Sequence, residues 1–211
     1  MYKNELEFVK KYLIEHDGDK SRRDSETFRK RHKHAINVLN WAKRLVSELE
    51  PEIVKTLELE ALYLACIFHD VGYGSEYYKN SHAIEGSEIW KNYADAHNFD
   101  LDLTDHVYYL IRTHSEHALL MKESPLELVL LMEADMLDEE GAMSICWDNM
   151  TLGQELPESY EEAYHKIKKY SGHILKENPL VTRPGRKYWR RKQEFVRKFI
   201  EELEFDLFIK E

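Results

Sequence analysis

Apolar residues recur along most of the chain at the three- and four-residue spacing of helices. Between Thr27 and Leu49, for example, Val38, Trp41 and Leu45 follow this spacing, which predicts a long amphipathic helix. The alternation of apolar and polar residues that is typical of strands is scarce, and the chain has only 8 glycines and 5 prolines. The pattern therefore predicts an all-α fold of about eight or nine helices.

After a short amphipathic start, the same spacing predicts further helices over 54–68, 81–97, 104–114, 125–135, 137–149, 159–176 and 185–207. Pro51 is expected to end the helix before it, and Ser81 is a candidate N-cap. The segment 54–68 is apolar on nearly every face, so we expect it at the centre of the fold. No linker divides the chain, which predicts one domain over 1–211, with the helices of 159–207 on its outside.

The central apolar segment ends in two polar residues, His69 and Asp70, and Val-Gly-Tyr-Gly follows at once. Adjacent side chains on a regular helix point about 100° apart, so such a pair can converge on one ion only where the helix ends. Gly72 and Gly74 predict such an end. The same dipeptide recurs at residues 16 and 17, but there it lies in a polar turn and predicts no function.

Composition narrows the classes of function. The chain has 30 Lys and Arg against 40 Asp and Glu, a formal charge of −10, which argues against non-specific nucleic-acid binding. Cys66 and Cys146 lie in apolar segments, which predicts buried free thiols in a reducing compartment. The charged amphipathic start does not resemble a signal peptide, and no apolar run reaches the length of a membrane span. We therefore expect a cytoplasmic protein with no membrane partner.

Two further residues are candidate metal ligands by their position. His34 shares a helix face with Val38 and Trp41, and Asp135 follows an apolar helical segment. Taken singly, each has an ordinary structural explanation. A histidine on an apolar face is usually a hydrogen-bonded core residue, and an aspartate between two helices is usually an N-cap.

Taken together, three segments carry these residues: Arg31-x-x-His34, Ala-Cys-Ile-Phe-His-Asp-Val-Gly over 65–72, and Glu-Ala-Asp-Met-Leu-Asp over 133–138. Their order and helical contexts resemble the HD superfamily of metal-dependent phosphohydrolases, over residues 29 to 149 or so. The resemblance implies an all-α bundle that binds one divalent metal. The implied ligands are His34, His69, Asp70 and Asp135.

Two imidazoles and two carboxylates suit Mn, Fe, Co, Ni or Zn and, with added water ligands, Mg. His82 and His114 lie between the His-Asp pair and the last aspartate, where HD proteins with binuclear sites carry extra histidines. They are candidates for a second metal or for a contact with a substrate phosphate. The alternative is that both are surface histidines at helix ends. His106 and His117 fall in the same interval and are expected to be bystanders.

The resemblance implies hydrolysis of a nucleotide or another small phosphate compound by metal-activated water. Asp70 or Asp138 is the expected proton acceptor. Arg31 lies one helical turn from His34 and is a candidate phosphate contact, or else part of a solvated basic face. Arg183 and Arg186 are further phosphate candidates, or else partners of acidic surface residues.

Two other classes of function stay open at the level of sequence. One is an HD fold with different chemistry, such as a lyase or a di-iron oxygenase. The other is a non-catalytic helical module that senses a ligand. Motifs of P-loop, dinucleotide-binding, α/β-hydrolase and His-Glu-x-x-His proteins are absent from the sequence. Substrate identity, metal count and pairing into a homodimer through the outer helices are also left open.

Overall fold

The computed structural model describes residues 2–17, 30–74, 81–154 and 159–207. Within these ranges the chain forms helices and no β-strand, which confirms the all-α fold. None of the described helices is long and apolar enough to cross a membrane. The α-helices are α1 (Lys3–Glu15), α2 (Arg31–Ser47), α3 (Pro51–Val54), α4 (Leu59–Phe68), α5 (His82–Ala96), α6 (Leu101–Thr113), α7 (Leu126–Glu139), α8 (Ala142–Gln154), α9 (Tyr160–Lys169) and α10 (Arg183–Leu207). Short 3-10 helices are Val71–Gly74, His117–Leu119 and Ser171–Leu175.

The chain divides into two compact units, Met1–Asp135 and Met136–Glu211. The first holds α1 to α6 and most of α7. The second holds the end of α7 and the helices α8 to α10. The expectation of a single domain over 1–211 remains a prediction.

Helix α4 forms the centre of the first unit, as its uniform hydrophobicity predicts. Every residue from Ala61 to Phe68 except Tyr63 is buried, and the helix packs against α2 and α6. Its predicted start at Val54 is wrong, because Pro51 begins a separate four-residue helix and α4 starts only at Leu59. A carboxylate oxygen of Glu127 accepts the backbone N–H of Glu58 at 2.8 Å and so satisfies one donor at the start of α4.

Helix α7 does not end at Asp135, as predicted, but continues to Glu139. Burial explains the continuation, since Leu137 is fully buried. Gly141 then takes a φ of 75°, the left-handed conformation that glycine adopts without steric cost after a helix.

Other boundaries agree more closely with the pattern. Ser81 caps α5 by accepting the N–H of Ile84 at 3.4 Å, which confirms the predicted N-cap. The helix expected over 159–176 instead ends at Lys169 and gives way to a 3-10 helix. The expected start of α2 at 27–29 lies outside the described residues.

Aromatic side chains support the point where α4 ends. Phe68 is fully buried and its ring lies 5.0 Å from that of Trp90, 5.1 Å from Tyr93 and 5.8 Å from Phe8. Trp90 also donates its indole N–H to the carbonyl of Thr104 at 3.0 Å. Helices α1 and α5 thus hold the end of α4 in a fixed position just before His69.

The two cysteines differ in exposure. Cys66 is buried in α4, as predicted, whereas Cys146 is exposed on α8, so the prediction that both are buried is wrong for Cys146. Its neighbour Ile145 is buried, and one residue along a helix turns the side chain by about 100°, which carries Cys146 toward solvent.

Candidate metal centre

Two histidines from different helices face each other inside the first unit. His34 lies on the buried face of α2 and His69 caps the C-terminus of α4, and their Nε2 atoms are 3.3 Å apart. His69 donates its Nδ1–H to the carbonyl of Cys66 at 2.9 Å. Because that bond fixes the ring and its tautomer, the Nε2 lone pair of neutral His69 points at His34.

The two aspartates complete this cluster. Asp135 Oδ1 lies 3.0 Å from His34 Nε2 and 3.7 Å from His69 Nε2. Asp70 Oδ2 lies 3.6 Å from His34 Nε2, and its Oδ1 lies 3.6 Å from His69 Nε2. The structure therefore brings together all four residues that the sequence predicts as ligands.

The donor atoms fit a divalent ion both in type and in spacing. Metal bonds of about 2.0–2.2 Å to nitrogen and oxygen place adjacent ligand atoms on one ion roughly 3.0–3.5 Å apart. The separations among His34, His69, Asp70 and Asp135 run from 3.0 to 3.7 Å. One ion could be held by this cluster with only small movements of the side chains.

A second pair of histidines adjoins the first cluster. His82 begins α5 and His114 follows α6, and their Nε2 atoms are 3.2 Å apart. Asp70 Oδ1 lies 3.6 Å from His82 Nε2 and 4.0 Å from His114 Nε2. Asp70, His82 and His114 therefore form another group with metal-ligand spacing, and Asp70 belongs to both groups.

His114 is not a surface histidine, which was one alternative from the sequence. It is 3% exposed, and its Nδ1–H donates to the carbonyl of Ile111 at 2.6 Å. The side chain of His82 is 19% exposed. His106 and His117 belong to none of the metal-competent groups found in the described part of the chain.

Arg31 is buried beside the cluster, so its interpretation as part of a solvated basic face is wrong. Its Nη1 donates to Asp70 Oδ2 at 2.5 Å, and its guanidinium carbon lies 3.3 Å from the centre of the Tyr73 ring. The opposite partner of Tyr73 is His82, whose ring is stacked at 4.3 Å with an interplanar angle of 13°. Sequence reasoning missed Tyr73, and only its place in the Val-Gly-Tyr-Gly turn after the ligand pair could have drawn attention to it.

Burial and charge set the protonation of the cluster in opposite ways. Burial would raise the pKa of Asp70, but the charges of His69 and Arg31 outweigh it and hold that pKa well below its usual range. Hydrogen bonds from His34 and His69 likewise outweigh burial and lower the pKa of Asp135. Burial lowers the pKa of His69, but the charge of Asp70 and the bond to Asp135 reverse this, so that it is raised.

The second pair of histidines responds mainly to burial. Burial lowers the pKa of His114 to about 4, with the neighbouring His69 acting in the same direction. Burial also lowers the pKa of His82, although Asp70 opposes the shift. At neutral pH His114 is therefore an uncharged imidazole.

A close contact between backbones places His82 near Asp70. A Cβ atom on Gly72 would lie 2.0 Å from the carbonyl oxygen of His82 and 2.6 Å from the nitrogen of Gly86. Only glycine at position 72 permits this approach. The turn after α4 consequently rests directly on the first turn of α5.

Three other predicted residues lie in the second unit. Asp138 is buried on α7. Arg183 and Arg186 are exposed at the start of α10, and Arg186 Nε donates to the carbonyl of Leu180 at 2.7 Å. Their predicted roles toward protons and phosphates remain predictions.

Residues 31–140 match the family model of the HD domain. Because the match covers more than half of the 211 residues and includes both histidine pairs, the chain belongs to the HD domain family. No curated protein matches the sequence.

Solved structures share the fold over nearly the whole chain. The Lin1889 protein from Listeria innocua has a TM-score of 0.64 at 18% identity, covering 100% of this chain and 99% of that one. Bacillus subtilis YpgQ in complex with ADP has a TM-score of 0.65 at 18% identity, covering 97% and 93%. A predicted HD superfamily hydrolase from an uncultured Thermotogales bacterium has a TM-score of 0.60 at 19% identity, covering 95% and 92%. The fold is thus that of HD superfamily hydrolases.

Proposed function

We propose that this protein is a metal-dependent phosphohydrolase that acts on a nucleotide or another small phosphate compound. The convergence of His34, His69, Asp70 and Asp135 within an HD domain carries the proposal. These four residues would hold one divalent ion, which when bound supplies Lewis acidity to a phosphate group and makes water more acidic. Mixed nitrogen and oxygen donors favour Mn, Fe, Co, Ni or Zn over Mg.

His82 and His114, together with Asp70, are proposed to hold a second ion rather than a substrate phosphate. The Nδ1–H of His114 is already donated to the carbonyl of Ile111. Neutral His114 therefore has only a lone pair at Nε2, which can bind a metal but cannot donate to a phosphate oxygen. Its 3.2 Å separation from His82 Nε2 also suits two ligands of one ion.

The remaining roles follow from charge. The low pKa of Asp70 favours a role as a metal ligand over a role as proton acceptor, which leaves Asp138 as the other predicted acceptor. Arg31 brings a guanidinium to the cluster, and we propose it as a phosphate contact, with Arg183 and Arg186 as further candidates. ADP bound to YpgQ, which has the same fold, supports a nucleotide as the substrate.

A di-iron oxygenase is the second candidate function, because the histidine pair at 82 and 114 provides a second metal position. A lyase or a non-catalytic ligand-sensing module would follow from other outcomes of the same experiment. A cytoplasmic location and a homodimer through the outer helices complete the proposal, and light scattering in solution would measure the oligomeric state.

The test uses the full chain stripped of metal by a chelator and then loaded with Mn, Fe, Co, Ni, Zn or Mg. Release of phosphate or pyrophosphate is measured over nucleoside mono-, di- and triphosphates. The proposal expects hydrolysis that requires metal, persists in His16→Ala and is lost in His69→Ala. Metal binding with oxygen uptake by the iron form and no hydrolysis would support the oxygenase, and failure to bind any metal would support the non-catalytic module.

A further inference from the structure

Tyr73 lies between two groups that belong to different halves of the candidate metal centre. The Arg31 guanidinium carbon is 3.3 Å from the ring centre of Tyr73, at cation–π distance. The His82 imidazole is stacked on the same tyrosine at 4.3 Å and is nearly parallel to it. The ring of Tyr73 thus contacts a charged group and an aromatic group at once.

Both neighbours of Tyr73 also contact the carboxylate of Asp70. Arg31 donates to Oδ2, whereas His82 Nε2 lies 3.6 Å from Oδ1. A shift of the Tyr73 ring would therefore disturb both sides of the residue that belongs to both ligand groups.

His82 lacks the anchor that two other histidines of the centre possess. His69 and His114 each donate Nδ1–H to a backbone carbonyl three residues earlier. For His82 Nδ1, no hydrogen-bond partner occurs in the part of the chain that the structure describes. Its imidazole is held instead by ring contacts, the parallel stack on Tyr73 and an edge contact with His114 at 5.1 Å.

The position of the tyrosine is itself fixed by the backbone. Tyr73 directly follows Gly72, which packs against the carbonyl of His82 with no room for a side chain. Tyr73 N also donates to the carbonyl of Asp70 at 3.1 Å. The same short 3-10 helix therefore determines where both Asp70 and the Tyr73 ring lie.

We propose that Tyr73 is a positioning residue for the second metal position, acting through its ring. The stack orients His82 Nε2 toward Asp70 and His114, and the opposite contact keeps Arg31 against Asp70. This inference rests on the proposed assignment of His82 and His114 to a second ion. It assigns no role to the phenolic hydroxyl, so phenylalanine should replace tyrosine without loss.

The experiment compares Tyr73→Phe, Tyr73→Leu, His82→Ala and the double variant Tyr73→Leu/His82→Ala in the full chain. Metal-free protein is titrated calorimetrically with Mn²⁺, and bound metal is counted by elemental analysis. Wild type and Tyr73→Phe should bind two ions with equal affinities. Tyr73→Leu should weaken the second ion at least about tenfold, as loss of a ligand-orienting partner does, and leave the first ion within about twofold.

The double variant separates positioning from a general structural role. If Tyr73 acts through His82, removing the tyrosine ring in the His82→Ala background should change the affinity for Mn²⁺ no further. Tyr73→Met, which is unbranched and has no aromatic face, repeats the test if circular dichroism shows that the leucine variant is misfolded.

Three results would overturn the inference: a wild type that binds a single ion, a Tyr73→Leu variant that binds both ions as wild type does, or an equal loss of both ions together with a lowered Tm. Absence of phosphate hydrolysis is a separate outcome. Two bound ions with the expected selectivity, but no hydrolysis of any phosphate, would refute the proposed function and leave the role of Tyr73 intact.

Discussion

Arg31 donates a hydrogen bond to Asp70 at 2.5 Å across 39 residues of sequence, and both side chains are buried. A charged pair at this depth is stable only if each partner stays compensated. Together with His69, the guanidinium holds the pKa of Asp70 below its usual range against the opposing effect of burial. The carboxylate is thus kept ionised at the centre of the ligand cluster.

Replacing Arg31 by methionine should destabilise the metal-free protein, because it leaves a buried carboxylate without its main cationic partner. Breaking a buried pair in this way costs about 3 kcal/mol of unfolding free energy. Urea unfolding at pH 7 with chelator present measures the loss. Arg44→Met, an exposed position on the same helix, should cost about 0.5 kcal/mol or less. Equal losses in the two variants would contradict the importance assigned to the pair.

His69→Ala should weaken the first ion by more than about 100-fold, because a direct ligand matters more than its supporting partners do. Far-UV circular dichroism should be unchanged, since His69 follows the last residue of α4. His16→Ala is the matched control, since His16 also precedes an aspartate but lies outside the cluster. Wild-type metal affinity in His69→Ala would rule out the four-ligand site.

Gly72→Ala should destabilise the protein by about 3 kcal/mol or more, because overpacking against rigid backbone cannot be relieved by a side-chain movement. The added carbon would lie 2.0 Å from the His82 carbonyl. Gly153 supplies the opposite case, since nothing lies within 4 Å of a Cβ there, and Gly153→Ala in helix α8 should stabilise by about 0.5 kcal/mol. Thermal unfolding of both variants gives the comparison, and a tolerated alanine at position 72 would disprove the close contact.

Asp148→Asn should raise the Tm by about 2 °C at pH 8 and by less at pH 4.5. Burial raises the pKa of Asp148, and the hydrogen bonds from the backbone and hydroxyl of Ser171 offset only part of that shift. Because the folded pKa exceeds the unfolded value, the ionised group destabilises the fold at high pH, and protonation removes this cost as the pH falls through the folded pKa. Asp206→Asn, at an exposed position, should show no such pH dependence. A variant that is less stable than wild type at pH 8 would contradict this sign.

The native protein should react with one equivalent of a thiol reagent and the unfolded protein with two. Cys146 is exposed, whereas Cys66 is buried and burial raises the pKa of its thiol. Absorbance of the released chromophore in buffer and in urea counts the thiols, and Cys146→Ser should abolish the native signal. Two reactive thiols in the native state would show that α4 is more open than described.

The helical pattern and the ligand residues could be predicted because both depend on local sequence. Spacing of apolar positions identifies α2, α4 and α10, and the polar pair that ends α4 attracts attention because a buried helix rarely ends that way. Boundaries are harder to predict, as the continuation of α7 through Asp135 shows. Burial of Leu137 determines that continuation, and burial depends on residues distant in sequence.

The sequence by itself determined that the protein is all-α, that its central helix ends at a glycine turn, and which four residues could bind a metal. Only the tertiary structure decided that Arg31 is buried against Asp70, that His82 and His114 face one another, and that Tyr73 lies between Arg31 and His82. The reason is physical. Helix periodicity and turn chemistry act over a few residues, whereas these contacts join helices separated by 30 to 40 positions, so that packing of the whole unit fixes them.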